Sequence, residues 1–123
     1  MSSKAALTIF PANTAVPAGT TKAQPVIGNV LDTRAGYGGM LDWRITNSGA
    51  LGAPCVIMFQ NSPDGTNWFD MEPAYSENLT ANTVSQGPSI SLRIGPMYMR
   101  AIAYGNTTSG CMVEAYLEHV TSL

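Results

Sequence analysis

Charge is what this chain has least of: 11% of its 123 residues are Asp, Glu, Lys or Arg, against roughly a quarter in an average soluble domain. The six basic side chains are scattered from Lys4 to Arg100 and the net charge is -2, which excludes a basic footprint for nucleic acid. Histidine occurs once, at His119, so a His-rich metal site or a catalytic triad would have to be built around that single ring. Its place near the end of the last strand predicts a surface or edge histidine. The two cysteines, Cys55 and Cys111, lie far apart without CxxC spacing; they read either as small buried reduced hydrophobes or as a disulfide between neighbouring strands. No apolar run approaches the roughly 20 residues of a membrane span. The opening MSSKAALTIFPAN holds one lysine and an apolar run broken by Pro11, too little for a secretory signal, so synthesis in a cytoplasm is expected. GxSxG, P-loop and HExxH patterns are all missing.

What the chain has instead is apolar residues, 45% of the total, which sets it apart from a disordered segment. Its length suits one core and one domain. A surface furnished with Thr, Ser, Asn, Gly and Ala predicts packing against copies of the chain or a partner. Met40, Met58, Met71, Met97, Met99 and Met112 add adaptable apolar contacts.

Residues 1–25 are rich in Pro, Ala, Thr and Gly without a period. They predict an extended arm or a loosely attached first strand, because Pro11, Pro17 and Pro25 exclude a helix and a central strand position. A β-sandwich domain is expected over 26–123. It begins with a strand over Val26 to Leu31. In MLDWRIT, Leu41, Trp43 and Ile45 fall on one face and Asp42, Arg44 and Thr46 on the other. Cys55 to Gln60 is apolar on both faces, as a central strand requires. Residues 73–89 form a polar connection suited to crossing between sheets. Ile90, Leu92 and Ile94 alternate inward in the next strand, and Met97 to Tyr104 forms another. Gly105 to Gly110 reads as a hairpin loop. In the closing strand Val113, Ala115 and Leu117 oppose Glu114, Tyr116 and Glu118. About seven or eight strands without a helical period describe an all-β antiparallel sandwich.

The sharpest turn signal is NSPDGTNWFD, residues 61–70. Pro63 presets φ, Asp64 bonds the downstream backbone and Gly65 accepts positive φ. It predicts a hairpin into a Trp68 to Glu72 strand, with Trp68 and Phe69 on opposite faces, one toward the core and one outward. Asp64, Asp70 and Glu72 could in principle serve two-carboxylate hydrolysis, and Asp64, Asn67 and Asp70 could offer oxygens to calcium. Turn chemistry and strand solvation already explain all of them, so no catalytic residue, metal or cofactor is assigned. The glycosylation patterns at Asn78 and Asn106 are what a chain rich in Asn and Thr produces by chance.

The combination WRITNSGALGAPCVIMFQNSPDGTNWFDM, followed after a polar linker by SLRIGPMYMRAIAYGNTTSGCMVEAYLEHV, resembles small β-sandwich virion proteins of tailed bacteriophages, in particular capsid decoration, or cement, proteins. The shared elements are an S-x-DG-x-x-W hairpin (Ser62, Asp64, Gly65, Trp68), a YxR strand (Tyr98, Arg100) and a Gly-Asn turn (Gly105, Asn106). The resemblance spans residues 40 to 120. It implies a non-enzymatic structural protein on the capsid surface, bound to the major capsid protein and to copies of itself, with a homotrimer as the expected oligomer. Neither nucleic acid, membrane nor cofactor takes part. On this reading the arm, with Phe10, Pro11 and Val16, is expected to lie along a neighbouring subunit or add a strand to it. The alternatives are a tail, baseplate or fibre-base structural protein, and a carbohydrate-binding module for host attachment, in which Trp68 and Tyr75 are the exposed aromatics through which a glycan partner would be bound.

Overall fold

The computed structural model describes residues 3–36, 38–47, 55–71, 75–76, 84–86, 90–92, 98–105 and 110–122. Among them are strands β1 (Ser3–Val16), β2 (Val26–Ile27), β3 (Leu31–Asp32), β4 (Gly39–Asn47), β5 (Val56–Ser62), β6 (Phe69–Asp70), β7 (Tyr75–Ser76), β8 (Val84–Gln86), β9 (Ile90–Leu92), β10 (Tyr98–Tyr104) and β11 (Cys111–Ser122), and no helix. Three pairs of short segments each continue along one partner: β2 and β3 on β10, β6 and β7 on β5, β8 and β9 on β4. Counted so, eight strands form two antiparallel sheets of four. The first sheet runs β1, β11, β4, β8/β9, and the second runs β2/β3, β10, β5, β6/β7.

Following the chain, nearly every connection leaves one sheet for the other. The exception is the turn at residues 63–68, which joins β5 to β6 within the second sheet. Eight antiparallel strands wound this way have the strand order of a jelly roll. The polar stretch 73–89 does cross between sheets, carrying the chain from β7 to β8. The loop 105–110, in contrast, is not the hairpin that its Gly and Asn content suggested. β10 pairs with β2, β3 and β5, whereas β11 pairs with β1 and β4, so this loop also crosses.

The core lies between the sheets. Leu41, Trp43 and Ile45 from β4 and Val113, Ala115 and Leu117 from β11 face Ile57 and Phe59 from β5 and Met99, Ala101 and Ala103 from β10, all buried. In β4 and β11 the period-two pattern of the sequence is the pattern of burial. β5 is central and apolar on both faces, as its composition required. Cys55 and Cys111 are both buried, and neither is in a disulfide.

The segment expected to be an extended arm or a loosely attached first strand is divided. Pro17 to Pro25 is a loop, but Ser3–Val16 is a full edge strand in register with β11. Two irregularities hid it from the sequence. Between the pairs Thr8–Tyr116 and Phe10–Ala115 the strand holds one residue more than its partner, and this bulge turns two consecutive side chains, Ile9 and Phe10, into the core. Between Phe10–Ala115 and Thr14–Val113, Pro11, Ala12 and Asn13 stand opposite Glu114 alone. Asn13 takes φ +63° there, and the Thr14 hydroxyl donates to the Pro11 carbonyl at 2.6 Å. Pro11 is thus accommodated where the ladder needs no N–H.

The expected Val26 to Leu31 strand breaks at Gly28–Val30, and the break closes one seam of the sandwich. Gly28 N–H donates to Ala101 O of the second sheet (2.8 Å), and Asn29 N–H donates to Ile9 O of the first (2.8 Å). The Asn29 side-chain amide adds a bond to Thr8 O at 3.2 Å. A Cβ at Gly28 would lie 2.9 Å from both the carbonyl oxygen and Cγ2 of Ile9, so only glycine fits between the layers.

Candidate functional site

The hairpin turn is built from its own side chains. Ser62, 1% exposed, accepts the N–H groups of Asp64 (3.2 Å) and Gly65 (2.8 Å) on Oγ and donates to Asp64 Oδ1 (3.0 Å). Asp64 Oδ1 also accepts the N–H groups of Thr66 (2.8 Å) and Asn67 (2.9 Å), while Oδ2 takes the Asn67 amide (2.7 Å). Gly65 sits at φ +79°, where an added Cβ would still be 3.8 Å from the Tyr98 ring. The glycine therefore answers a demand of the backbone and not one of space.

From this turn the chain enters β6 and meets the Tyr98–Arg100 strand. Register sets Tyr98 opposite Ser62, Arg100 opposite Gln60 and Gln60 opposite Asp70. These outward side chains of the second sheet form one row. Arg100 Nε donates to Gln60 Oε1 (2.8 Å), Gln60 Nε2 to Asp70 Oδ1 (2.9 Å), and Lys22 Nζ to Asp70 Oδ2 (2.7 Å). The Arg100 guanidinium lies over the Trp68 ring at 4.4 Å from its centroid, a cation–π contact. Arg34 lies over Tyr98 at 5.0 Å and pairs with Asp32 through two nitrogens, at 3.0 and 2.7 Å. The hairpin and the strand, some 30 residues apart in the chain, are thus one polar and aromatic cluster.

Its carboxylates are all held in the ionised form. The backbone N–H groups of Asn67 and Thr66, followed by the Asn67 and Ser62 side chains, hold Asp64 well below the usual carboxylate range. Gln60 first and Lys22 second lower Asp70. The Arg34 hydrogen bonds bring Asp32 down to about 2. Burial lowers Arg100 without bringing it near neutrality. Two-carboxylate hydrolysis needs one acid with a raised pKa; Asp64 and Asp70 are both shifted the other way, and Glu72 lies outside the described residues. The Asp64 oxygens that a calcium ion would need are taken up by the turn, and no three His, Cys, Asp or Glu side chains cluster among the described residues.

No protein-family model, curated protein or solved structure matches the chain.

The residues marked for partner contact do not gather. Phe10 and Val16 are 1% and 0% exposed, so neither can be an anchor; the bulge and the β11 pairing put both in the core. Pro11 is exposed at the bulge. Trp68 is half-buried beneath Arg100, and Phe69 is the outward one of that pair at 59% exposure. Neither reaches the core; Met71, two residues on, packs against it instead. Tyr75 pairs with Ile57 in β7, its side chain lying outside the described residues, as do Glu72, Asn78, Ile94 and Asn106. His119 is not a surface residue. It is 5% exposed on the core side of β11, its Nε2 has no hydrogen-bond partner, and a Cβ on Gly36 would collide with its ring.

Sequence reading missed Gln60, Lys22 and Arg34. Gln60 carried a signal, as the one amide ending an otherwise apolar run. Lys22 gave none, since its partner Asp70 is set by sheet order; Arg34 carried only the local signal of Asp32 two residues before it, while its place over Tyr98 depends on the β3–β10 pairing. The outward face of the first sheet holds a second, smaller group. Arg44 Nη1 pairs with Glu114 Oε1 at 3.1 Å, and Tyr116 donates to Glu114 Oε2 at 2.8 Å, which raises the tyrosine pKa. Arg44 and Glu114, with Asn13, Thr46 and Met112, border a half-open depression of about 200 Å³.

Proposed function

We propose that this chain is a non-enzymatic structural protein of a tailed-phage particle, a decoration protein that lies on the capsid surface and steadies it. The observation that carries this reading is the convergence of the Ser62–Trp68 hairpin with Tyr98 and Arg100. The two separate parts of the resemblance to decoration proteins meet in space as one interlocked unit. The strand order supports it more weakly, because virion and lectin domains both use this winding.

Attachment is through the faces of a closed sandwich and not through an arm. The exposed apolar side chains Ile27, Val30, Met40, Phe69 and Met112 are spread over both sheets, so each neighbour gains a modest contact. Many such sites repeated over a shell add up through multivalency. A sugar-stacking role for Trp68 loses support, since the indole is half-buried and Arg100 already occupies one of its faces.

The test is co-sedimentation with shells of the encoding phage purified without this protein. Saturation at on the order of hundreds of copies per shell, with a raised disruption temperature, is expected. Binding of only a few copies would place the protein in the tail, and no binding would remove the particle reading.

A further inference from the structure

Two apolar side chains are buried on the outward side of their sheet. Met58 and Ile102 are cross-strand partners on β5 and β10, alternating with the core residues Ile57, Phe59, Ala101 and Ala103. They are only 4% and 3% exposed, yet they stand outside the central cluster. Gln60, the next outward residue on β5, is 7% exposed. Burial is local to this stripe, because Ile27, which pairs with Ile102 from the sheet edge, is 54% exposed.

The loop 17–25 has the right path to account for this. Its base is tied by Gly105 N–H donating to Thr20 O at 2.9 Å. It folds on itself through Gln24 N–H, which donates to Thr21 O (3.1 Å) and to Thr21 Oγ1 (3.2 Å). It then delivers Val26 to the β2 edge beside β10. Lys22, however, reaches Asp70 on β6, at the opposite edge, with β10 and β5 between them. A link between those end points crosses the outward face at β10 and β5, where Met58 and Ile102 stand.

We infer that residues 17–25 form a latched strap: the apolar stem of Lys22 lies over the Met58–Ile102 stripe, its ammonium is held by Asp70, and release of that pair lifts the strap and wets the stripe. A long basic side chain covers apolar surface in this way while keeping its charged end in water. The Lys22 and Asp70 side chains are 52% and 30% exposed, so the latch is weak enough to open within the native state.

The test is amide hydrogen exchange of the full chain, reading Gly105 as the reporter of the strap and Val120, whose N–H donates to Gly38 O at 3.0 Å, as a reference remote from the latch. Lys22→Ala and Asp70→Asn are each expected to speed Gly105 exchange about two- to fivefold, the range that an exposed ion pair supports, with Val120 unchanged. Lys22→Met, which keeps the stem, should bind less anilinonaphthalene sulfonate than Lys22→Ala. Unchanged Gly105 exchange in both charge variants overturns the strap. Equal acceleration at Gly105 and Val120 overturns it too, since the loop would then open only with the whole fold.

Discussion

Ser62 and Asp64 show how much one short stretch can specify on its own. Ser62 is almost wholly buried and serves two backbone donors, so Ser62→Ala leaves both without their acceptor and should cost about 1–2 kcal/mol in urea unfolding. Asp64, Asp70 and Asp32 all have native pKa values below the ordinary 3.8. Between 3.8 and the native values the unfolded chain binds more protons, so stability rises with pH. Their contribution is complete only above about pH 5 and is lost as the pH falls through the native values. A plot of unfolding free energy against pH should therefore drop below about pH 5, and Asp64→Asn should flatten that drop without altering the slope near neutrality. This layer was legible beforehand, because Asp-Gly turns act through neighbouring residues. His119 was not: its burial depends on Gly36, 83 positions away in the chain.

At the scale of elements, β5 was legible as a run apolar on both faces, and period two revealed β4 and β11, since each has one face on the core. It failed on β1, whose bulges put Ile9 and Phe10 side by side inside and whose proline imitates a linker. It gave no sign of β7 inside the polar 73–89 stretch, and β2, β3 and β6, two residues each, are shorter than the strands expected over 26–31 and 68–72, because they exist only through pairing with β5 or β10. Loop 105–110 shows a related limit, because the same Gly and Asn chemistry serves a hairpin or a crossover. The Gly28–Asn29 seam is the element on which layer closure depends most. Gly28→Ala forces a methyl against Ile9 from the adjacent sheet and should lower stability by about 1–3 kcal/mol. A change inside measurement error would mean that the seam yields freely.

For the whole molecule, the winding sets both folding and attachment. The β5–β6 turn is the connection that closes locally, while the other pairings wait for distant strands, an arrangement that slows folding. The hairpin thus becomes a natural nucleus, and Ser62→Ala should reduce the folding rate more than it raises the unfolding rate. Because β1 belongs to the sandwich, the attachment proposed above would use faces and not a tether. The most direct test of that claim is the urea midpoint of Phe10→Ala. If residues 3–16 are a core strand, the substitution should cost about 3–5 kcal/mol, as for other buried phenylalanines, and shift the midpoint accordingly. An unchanged midpoint would contradict the account and return Phe10 to a free arm.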